Sequence, residues 1–147
     1  MPKAVIAAAA IALALAARPA RADFSACAAA YAAKDPGRQI ELYTTCLKHG
    51  GLVSTDVAGA FTNRGVAYVH VGESDKALQD FTWAIQYDPR WPVAYADRAS
   101  VEAGQGKCAE ALTDIDGALK LAPHRKEYLE LKARLVAGCP IVSKAPG

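Results

Sequence analysis

The sequence predicts an all-α fold, a short solenoid of about three antiparallel helical hairpins closed by one C-terminal capping helix. The first observation behind this prediction is an internal repeat: small, aromatic and helix-breaking residues between positions 58 and 91 recur 34 positions later. The second is that apolar residues follow the helical period along most of the chain. Such a period is typical of stacked helical hairpins, because no single hairpin buries its apolar face alone.

Residues 1–22 are expected to be a cleaved signal peptide rather than part of the fold. Lys3 supplies a positive charge, and the apolar run at residues 4–17 is too short to span a bilayer comfortably. The small residues Ala20 and Ala22 form a signal-peptidase site, so cleavage is expected after Ala22. The alanine-rich run favours a bacterial protein that is periplasmic or secreted.

The charge that remains after cleavage argues against nucleic-acid partners. Three of the 17 basic residues and none of the 15 acidic residues lie in the signal segment, which leaves a net charge of −1. Nucleic-acid binding therefore lacks its electrostatic basis. No glycine-rich phosphate loop, paired carboxylates or four-ligand metal set is recognisable, so no enzyme activity, cofactor or metal is expected.

The first hairpin, residues 23–51, is a degenerate copy of the repeat. An Asp-Pro-Gly turn at residues 35–37 separates its two helical segments. Gly50 and Gly51 follow the second segment. Residues 54–56 then offer three side chains that could cap the next helix.

The second and third hairpins, residues 58–91 and 92–125, are the two clear copies. Residues 74–75 are expected to cap the second helix of the earlier copy, and Pro92 suits the first turn of the helix that follows. Small residues are expected where paired helices approach closely, and larger residues between successive hairpins. The small positions are Gly65, Ala77, Ala84, Ala99, Ala111 and Ala118, and the large ones are Phe61, Tyr68, Phe81, Tyr95 and Ile115.

The last helix, residues 126–138, repeats only the first half of the unit and is expected to cap the array. A Gly-Cys-Pro sequence ends it. Residues 140–147 carry two prolines and are expected to be a flexible tail.

Residues 58–91 resemble the tetratricopeptide repeat, and the resemblance extends over nearly the whole mature chain. The next copy is less regular, with Ala99 in place of glycine and Glu102 in place of the aromatic residue. The family resemblance implies a non-catalytic module that docks a segment of another protein in a groove lined by the first helix of each hairpin. The positions that carry the resemblance are Phe61, Gly65, Tyr68, Ala77, Phe81 and Pro89.

The same resemblance assigns residues to the groove. Some family members clamp a partner's C-terminal carboxylate with lysine and asparagine side chains, and Asn63 matches one such position. Phe24, Val93 and Asp97 stand where that clamp has basic residues, so carboxylate capture is not expected. The main candidates for partner contact are Asn63, Val66, His70, Asp97, Ser100 and Arg134. The other positions expected to face the groove are Thr62, Val69, Ala96, Ala103, Glu127, Glu130 and Leu131.

The four cysteines are expected to form two disulfides, since export places them in an oxidising compartment. In an antiparallel hairpin, residues equidistant from the turn face each other. The midpoint of Cys27 and Cys46 is 36.5, and that of Cys108 and Cys139 is 123.5. Both midpoints fall on turns, so these two pairings are predicted. Other pairings would join opposite ends of the solenoid.

An alternative concerns Cys27, because residues 24–27 loosely resemble a lipoprotein box that ends in an acylated cysteine. In that case the protein would be an envelope-anchored structural lipoprotein. Arg18, Arg21 and Asp23 separate this box from the apolar run, which counts against acylation. The first residue of the mature chain distinguishes the two alternatives.

Overall fold

The computed structural model describes residues 25–49 and 51–139, and over these residues the chain forms seven α-helices and no strands. The predicted all-α solenoid is therefore confirmed. The predicted signal peptide, Phe24, Gly50 and the predicted tail at 140–147 lie outside the described residues. The helices are α1 (Ser25–Ala32), α2 (Pro36–His49), α3 (Ser54–His70), α4 (Ser74–Tyr87), α5 (Pro92–Gly104), α6 (Cys108–Leu121) and α7 (Lys126–Gly138).

The helices pack as three hairpins, α1–α2, α3–α4 and α5–α6, followed by the single helix α7. The second helix of each hairpin also contacts the first helix of the next unit. First helices of successive units touch as well, since α3 contacts α5 and α5 contacts α7. We call α3, α5 and α7 the first-helix row. None of the described helices is long and apolar enough to cross a membrane.

Small residues permit the close approach of helices within each hairpin. A Cβ atom added at Gly65 would lie only 2.7 Å from a ring carbon of Phe81, and Phe81 is fully buried. Ala99 and Ile115 are also fully buried and belong to one core cluster in the third hairpin. Gly65 therefore lies at a close approach of paired helices, as predicted, but the Phe81 ring packs on it within the same hairpin and does not lie only between successive hairpins.

The predicted helix caps are wrong in detail. Helix α3 begins at Ser54 and α4 at Ser74, with Val53 and Glu73 at the N-cap positions, where neither side chain makes a capping hydrogen bond. The turn between α3 and α4 is instead closed by backbone geometry at the C-terminus of α3. Gly72 adopts a φ of 81°, and the Glu73 amide donates to the Tyr68 carbonyl over 2.9 Å. Ser74 and Asp75 lie in the first turn of α4 and not before it.

A repeated ion pair joins the helices within the second and third hairpins. Arg64 donates two hydrogen bonds of 2.8 Å to the carboxylate of Asp80, which is 3% exposed. The equivalent pair 34 residues later is Arg98 with Asp114. Bidentate pairs of this kind fix orientation, because both carboxylate oxygens are used.

Each arginine of these pairs also reaches back to the preceding hairpin. Another guanidinium nitrogen of Arg64 donates to the Thr44 hydroxyl on α2 over 3.1 Å, and Arg98 makes the same 3.1 Å bond to Thr82 on α4. Between the third hairpin and the capping helix, Lys132 on α7 pairs with Asp116 on α6 at 2.7 Å. Basic residues at equivalent positions thus tie each unit to its predecessor.

The structure contains both disulfides that the turn midpoints predict. Cys27 is bonded to Cys46 with a Cα–Cα distance of 5.1 Å, and Cys108 to Cys139 with 5.6 Å. The first bond closes the α1–α2 hairpin, and the second fastens the end of α7 to the start of α6. Each cross-link is expected to stabilise the fold by about 3 kcal/mol by restricting the unfolded chain.

Candidate binding groove

The first-helix row exposes some predicted groove residues and buries others. Asn63 and His70 on α3 are exposed, as are Ser100 and Arg134, while Val66 and Asp97 are half-buried. Val66 packs against the core cluster that contains Phe81 and therefore presents little side chain to a partner. The other five candidates remain accessible in whole or in part.

Two other positions predicted to face the groove are instead part of the helix packing. Thr62 is 3% exposed, and its hydroxyl donates to the Ala58 carbonyl one turn earlier on α3. Ala96 is 4% exposed and belongs to the core cluster between α5, α6 and α7. Those predictions are wrong because the neighbouring helices cover this face more completely than the family pattern implies.

A pocket of about 1190 Å³ lies where α5 and α7 meet the start of α6. Four predicted groove positions line it: Ser100, Ala103, Leu131 and Arg134. Leu112, Leu135 and the Cys108–Cys139 disulfide complete its mainly apolar wall, with Lys107 and Glu110 at the start of α6. We call this the C-terminal pocket. An apolar wall with a few charged groups suits an apolar side chain flanked by polar ones.

Asp97 is a half-buried acid on α5, at a position predicted to face the groove. No ion pair or hydrogen bond joins its carboxylate to another side chain of the described residues. Burial raises its pKa to about 6, because a carboxylate loses favourable hydration when neighbouring atoms exclude water. The sequence marked Asp97 as a groove position, but its solvation could be known only from the packing of the helices around it.

The hydroxyl group of Tyr128 on α7 is close enough to Asp97 for the charge of Asp97 to affect its pKa. Tyr128 is 6% exposed, and its hydroxyl is buried with no hydrogen-bond partner in the described part of the chain. Its pKa is raised mainly by burial; Arg125 opposes this shift, and the charge of Asp97 adds to it. Sequence reasoning missed Tyr128, since the equivalent position in the preceding unit is the small residue Ala94.

Glu102 is a second acid with a raised pKa, but it lies within the third hairpin rather than in the groove. Burial and then the nearby Asp114 raise its pKa to about 7, while Arg98 opposes the shift. The closest Arg98 nitrogen is 4.0 Å from one Glu102 oxygen, and the other oxygen is buried without a partner in the described chain. The Arg98 guanidinium group is already hydrogen-bonded to Asp114.

An aromatic cluster on α3 and α4 was also missed by the sequence reasoning. The rings of Phe61 and Tyr87 stack with centroids 5.6 Å apart, and Trp83 lies 6.4 Å from Phe61. Trp83 is 42% and Tyr87 47% exposed. The spacing of four residues between Trp83 and Tyr87, on one helix face, was the available signal. We call these three residues the aromatic cluster.

Stacked helical hairpins with a row of first helices define an α-solenoid built from helix-turn-helix repeats. Comparison with known proteins agrees with this class. The chain is 33% identical over 84 residues to tetratricopeptide repeat protein 36 of Caenorhabditis elegans, an alignment that covers 57% of the chain and 45% of that protein. The chain spans less than half the length of the curated relatives it matches.

Two solved structures show the same architecture. The second tetratricopeptide-repeat domain of human RPAP3, in complex with an HSP70 peptide, superposes with a TM-score of 0.70 at 25% identity, covering 81% of the chain and 98% of that domain. The Arabidopsis OM64 domain superposes with a TM-score of 0.67 at 28% identity, covering 75% and 88%. No family profile matches the chain. The repeats, the fold and these likenesses show that the described chain has the architecture of a tetratricopeptide-repeat domain.

Proposed function

We propose that this protein is a non-catalytic binding module that holds a segment of another protein against its first-helix row. The observation that carries the proposal is the C-terminal pocket, because four predicted groove positions from two different helices meet there. The human RPAP3 domain, which has the same architecture, is in complex with a peptide. A pocket of about 1190 Å³ is large enough to receive side chains of an extended segment.

The partner segment is proposed to differ from a free C-terminal carboxylate. Asn63 is exposed and suits a polar contact, but Val93 and Asp97 replace basic residues of the family's carboxylate clamp. A carboxylate ligand would be repelled by Asp97, whose charge is already poorly solvated. The groove therefore favours an internal segment or one of different charge.

We also propose that the module works outside the cytoplasm, in the periplasm or after secretion. The two disulfides support this proposal, because such bonds persist in oxidising compartments. Mass spectrometry of the natively produced protein should give Asp23 as the first residue and no free thiol. Retention of residues 1–22, or four alkylated cysteines, would overturn the proposed export.

The lipoprotein alternative conflicts with the first disulfide. Acylation of a lipoprotein uses the sulfur of the N-terminal cysteine, whereas the Cys27 sulfur is bonded to Cys46. One sulfur cannot carry both groups. The same mass measurement separates the alternatives, since a lipid-modified chain would begin at Cys27.

Site-specific photocrosslinking tests the binding function itself. A photoreactive amino acid at Ser100 would sit on the wall of the C-terminal pocket, whereas the same amino acid at Thr113 would sit on the exposed surface of α6 outside it. We expect discrete protein adducts from position 100 in living cells and none from position 113. Equal adducts at both positions, or none at position 100, would contradict binding at the first-helix row.

A further inference from the structure

The buried charge in the first-helix row raises the question of what would neutralise it. Asp97 lies at the middle helix of the row, with α3 on one side and α7 on the other. No cation of the described chain forms an ion pair or hydrogen bond with its carboxylate, and burial raises the pKa of that carboxyl. A carboxylate in this state gains free energy from any cation that can reach it.

No charged group on the adjacent helices neutralises Asp97 in the described chain. Arg134 on α7 lines the C-terminal pocket but forms no ion pair with Asp97. The residues equivalent to Asp97 on α3 and α7 are Asn63 and Leu131, and both are uncharged. Arg125 precedes α7, but it pairs with Glu127 at 3.5 Å, and its guanidinium lies over the Tyr128 ring at 5.2 Å. The nearest arginine along α5, Arg98, is held by Asp114.

The hydroxyl of Tyr128, close to Asp97, is a second polar group without a partner in the described chain. Tyr128 is only 6% exposed, yet its hydroxyl has no partner among the described residues, and it lies within the electrostatic reach of Asp97. Buried hydroxyl groups normally have a hydrogen-bond partner. The Tyr128 hydroxyl is itself enclosed, so an ammonium or guanidinium group of a partner would pair with the half-buried Asp97 carboxylate rather than with the tyrosine.

We propose that the partner segment places a lysine or arginine side chain on Asp97 and an apolar side chain in the adjoining C-terminal pocket. This inference rests on the proposed binding function and specifies the chemistry of the partner. Ser100, on the pocket wall, follows Asp97 by one helical turn, a rise of about 4.5 Å. An extended segment advances about 3.3 Å per residue, so the apolar residue lies one or two positions from the basic one.

Selection from a random peptide library displayed on phage tests this proposal with the oxidised protein as bait. We expect enriched peptides to share a lysine or arginine next to an apolar residue. Affinity of a selected peptide, measured by fluorescence anisotropy, should fall at least tenfold in Asp97→Asn and equally when the basic residue of the peptide is replaced by glutamine. The combined change should cost little more than either single change, because both remove the same contact.

Two controls keep the outcomes distinct. Asp56→Asn removes one exposed acid from the first turn of α3 and should leave peptide affinity unchanged. Thermal melts should show that Asp97→Asn remains folded. Enriched peptides without a basic residue, or affinity that Asp97→Asn does not alter, would overturn the inference while peptide binding stands. Failure to enrich any peptide would instead overturn the proposed function.

Discussion

Glycine is required at position 65 by the ring of Phe81 rather than by backbone conformation. Gly65 lies in the middle of α3, where alanine would ordinarily favour the helix by about 1 kcal/mol. A Cβ atom at this position would lie 2.7 Å from the Phe81 ring, which is closer than packed atoms allow, and Phe81 is fully buried. Steric conflict therefore dominates over helix propensity.

Gly65→Ala is expected to lower the free energy of unfolding by about 1 to 2 kcal/mol, because overpacking a core contact outweighs the gain in propensity. Urea unfolding followed by circular dichroism measures the change. Gly104→Ala is the matched control, since nothing lies within 4 Å of a Cβ at that position. It should be neutral or stabilising, and a stable Gly65→Ala variant would contradict the packing argument.

Glu102 should make stability depend on pH. Its folded pKa is about 7, above the ordinary value of 4.5, so the folded state holds the proton more tightly than the unfolded state. Stability from this group is present at pH 4 and is lost as pH rises towards 7. Glu102→Gln is therefore expected to stabilise the protein by about 2 kcal/mol at pH 8 and by little at pH 4.

Chemical denaturation at the two pH values measures this effect. Glu130→Gln, which removes an exposed acid from α7, serves as the control and should change stability little at either pH. A gain of the same size at pH 4 and pH 8 would show that Glu102 acts through packing rather than through its charge.

At the scale of the helices, the repeated arginine–aspartate pairs set how α3 meets α4 and how α5 meets α6. The Asp80 side chain is 4% exposed and the Arg64 side chain 16% exposed. Removing one partner from a buried pair leaves an uncompensated charge, which costs more than the pair contributes. The threonine contacts of Arg64 and Arg98 extend this arrangement to the preceding hairpins.

Arg64→Met is expected to destabilise the protein by about 3 kcal/mol, because Asp80 would remain buried without its partner. The double variant Arg64→Met and Asp80→Leu should recover most of that loss. Urea unfolding of both variants measures the difference. If the double variant were as unstable as the single one, the ion pair itself, rather than the isolated charge, would be the stabilising element.

At the scale of the whole molecule, each unit is stabilised mainly by its neighbours, so the ends of the array are the weakest points. Disulfides close the first hairpin and fasten α7 at the other end.

The double variant Cys108→Ala and Cys139→Ala should lower the free energy of unfolding by about 3 kcal/mol. Amide hydrogen exchange should accelerate first in α7, while α3 and α4 keep their protection. Uniform acceleration in all helices would contradict this distribution of stability.

The sequence was sufficient for the architecture because its signals are local and periodic. The 34-residue spacing indicated the hairpins, and the turn midpoints indicated the cysteine pairs. It was insufficient where tertiary packing decides the outcome. Backbone bonds rather than side chains close the turn before α4, and packing buries Thr62 and Ala96. The repeat of Arg64 and Asp80 at Arg98 and Asp114 was a readable signal for the ion pairs.

The central proposal is that the partner segment binds at the first-helix row and not at the aromatic cluster. The proposed chemistry of the partner depends on this location. Titration of the isotope-labelled, oxidised protein with a selected peptide, followed by NMR, distinguishes the two surfaces. We predict that amide signals shift at Asp97, Ser100 and Arg134. Shifts centred instead on Trp83 and Tyr87, with the first-helix row unchanged, would show that the partner binds elsewhere.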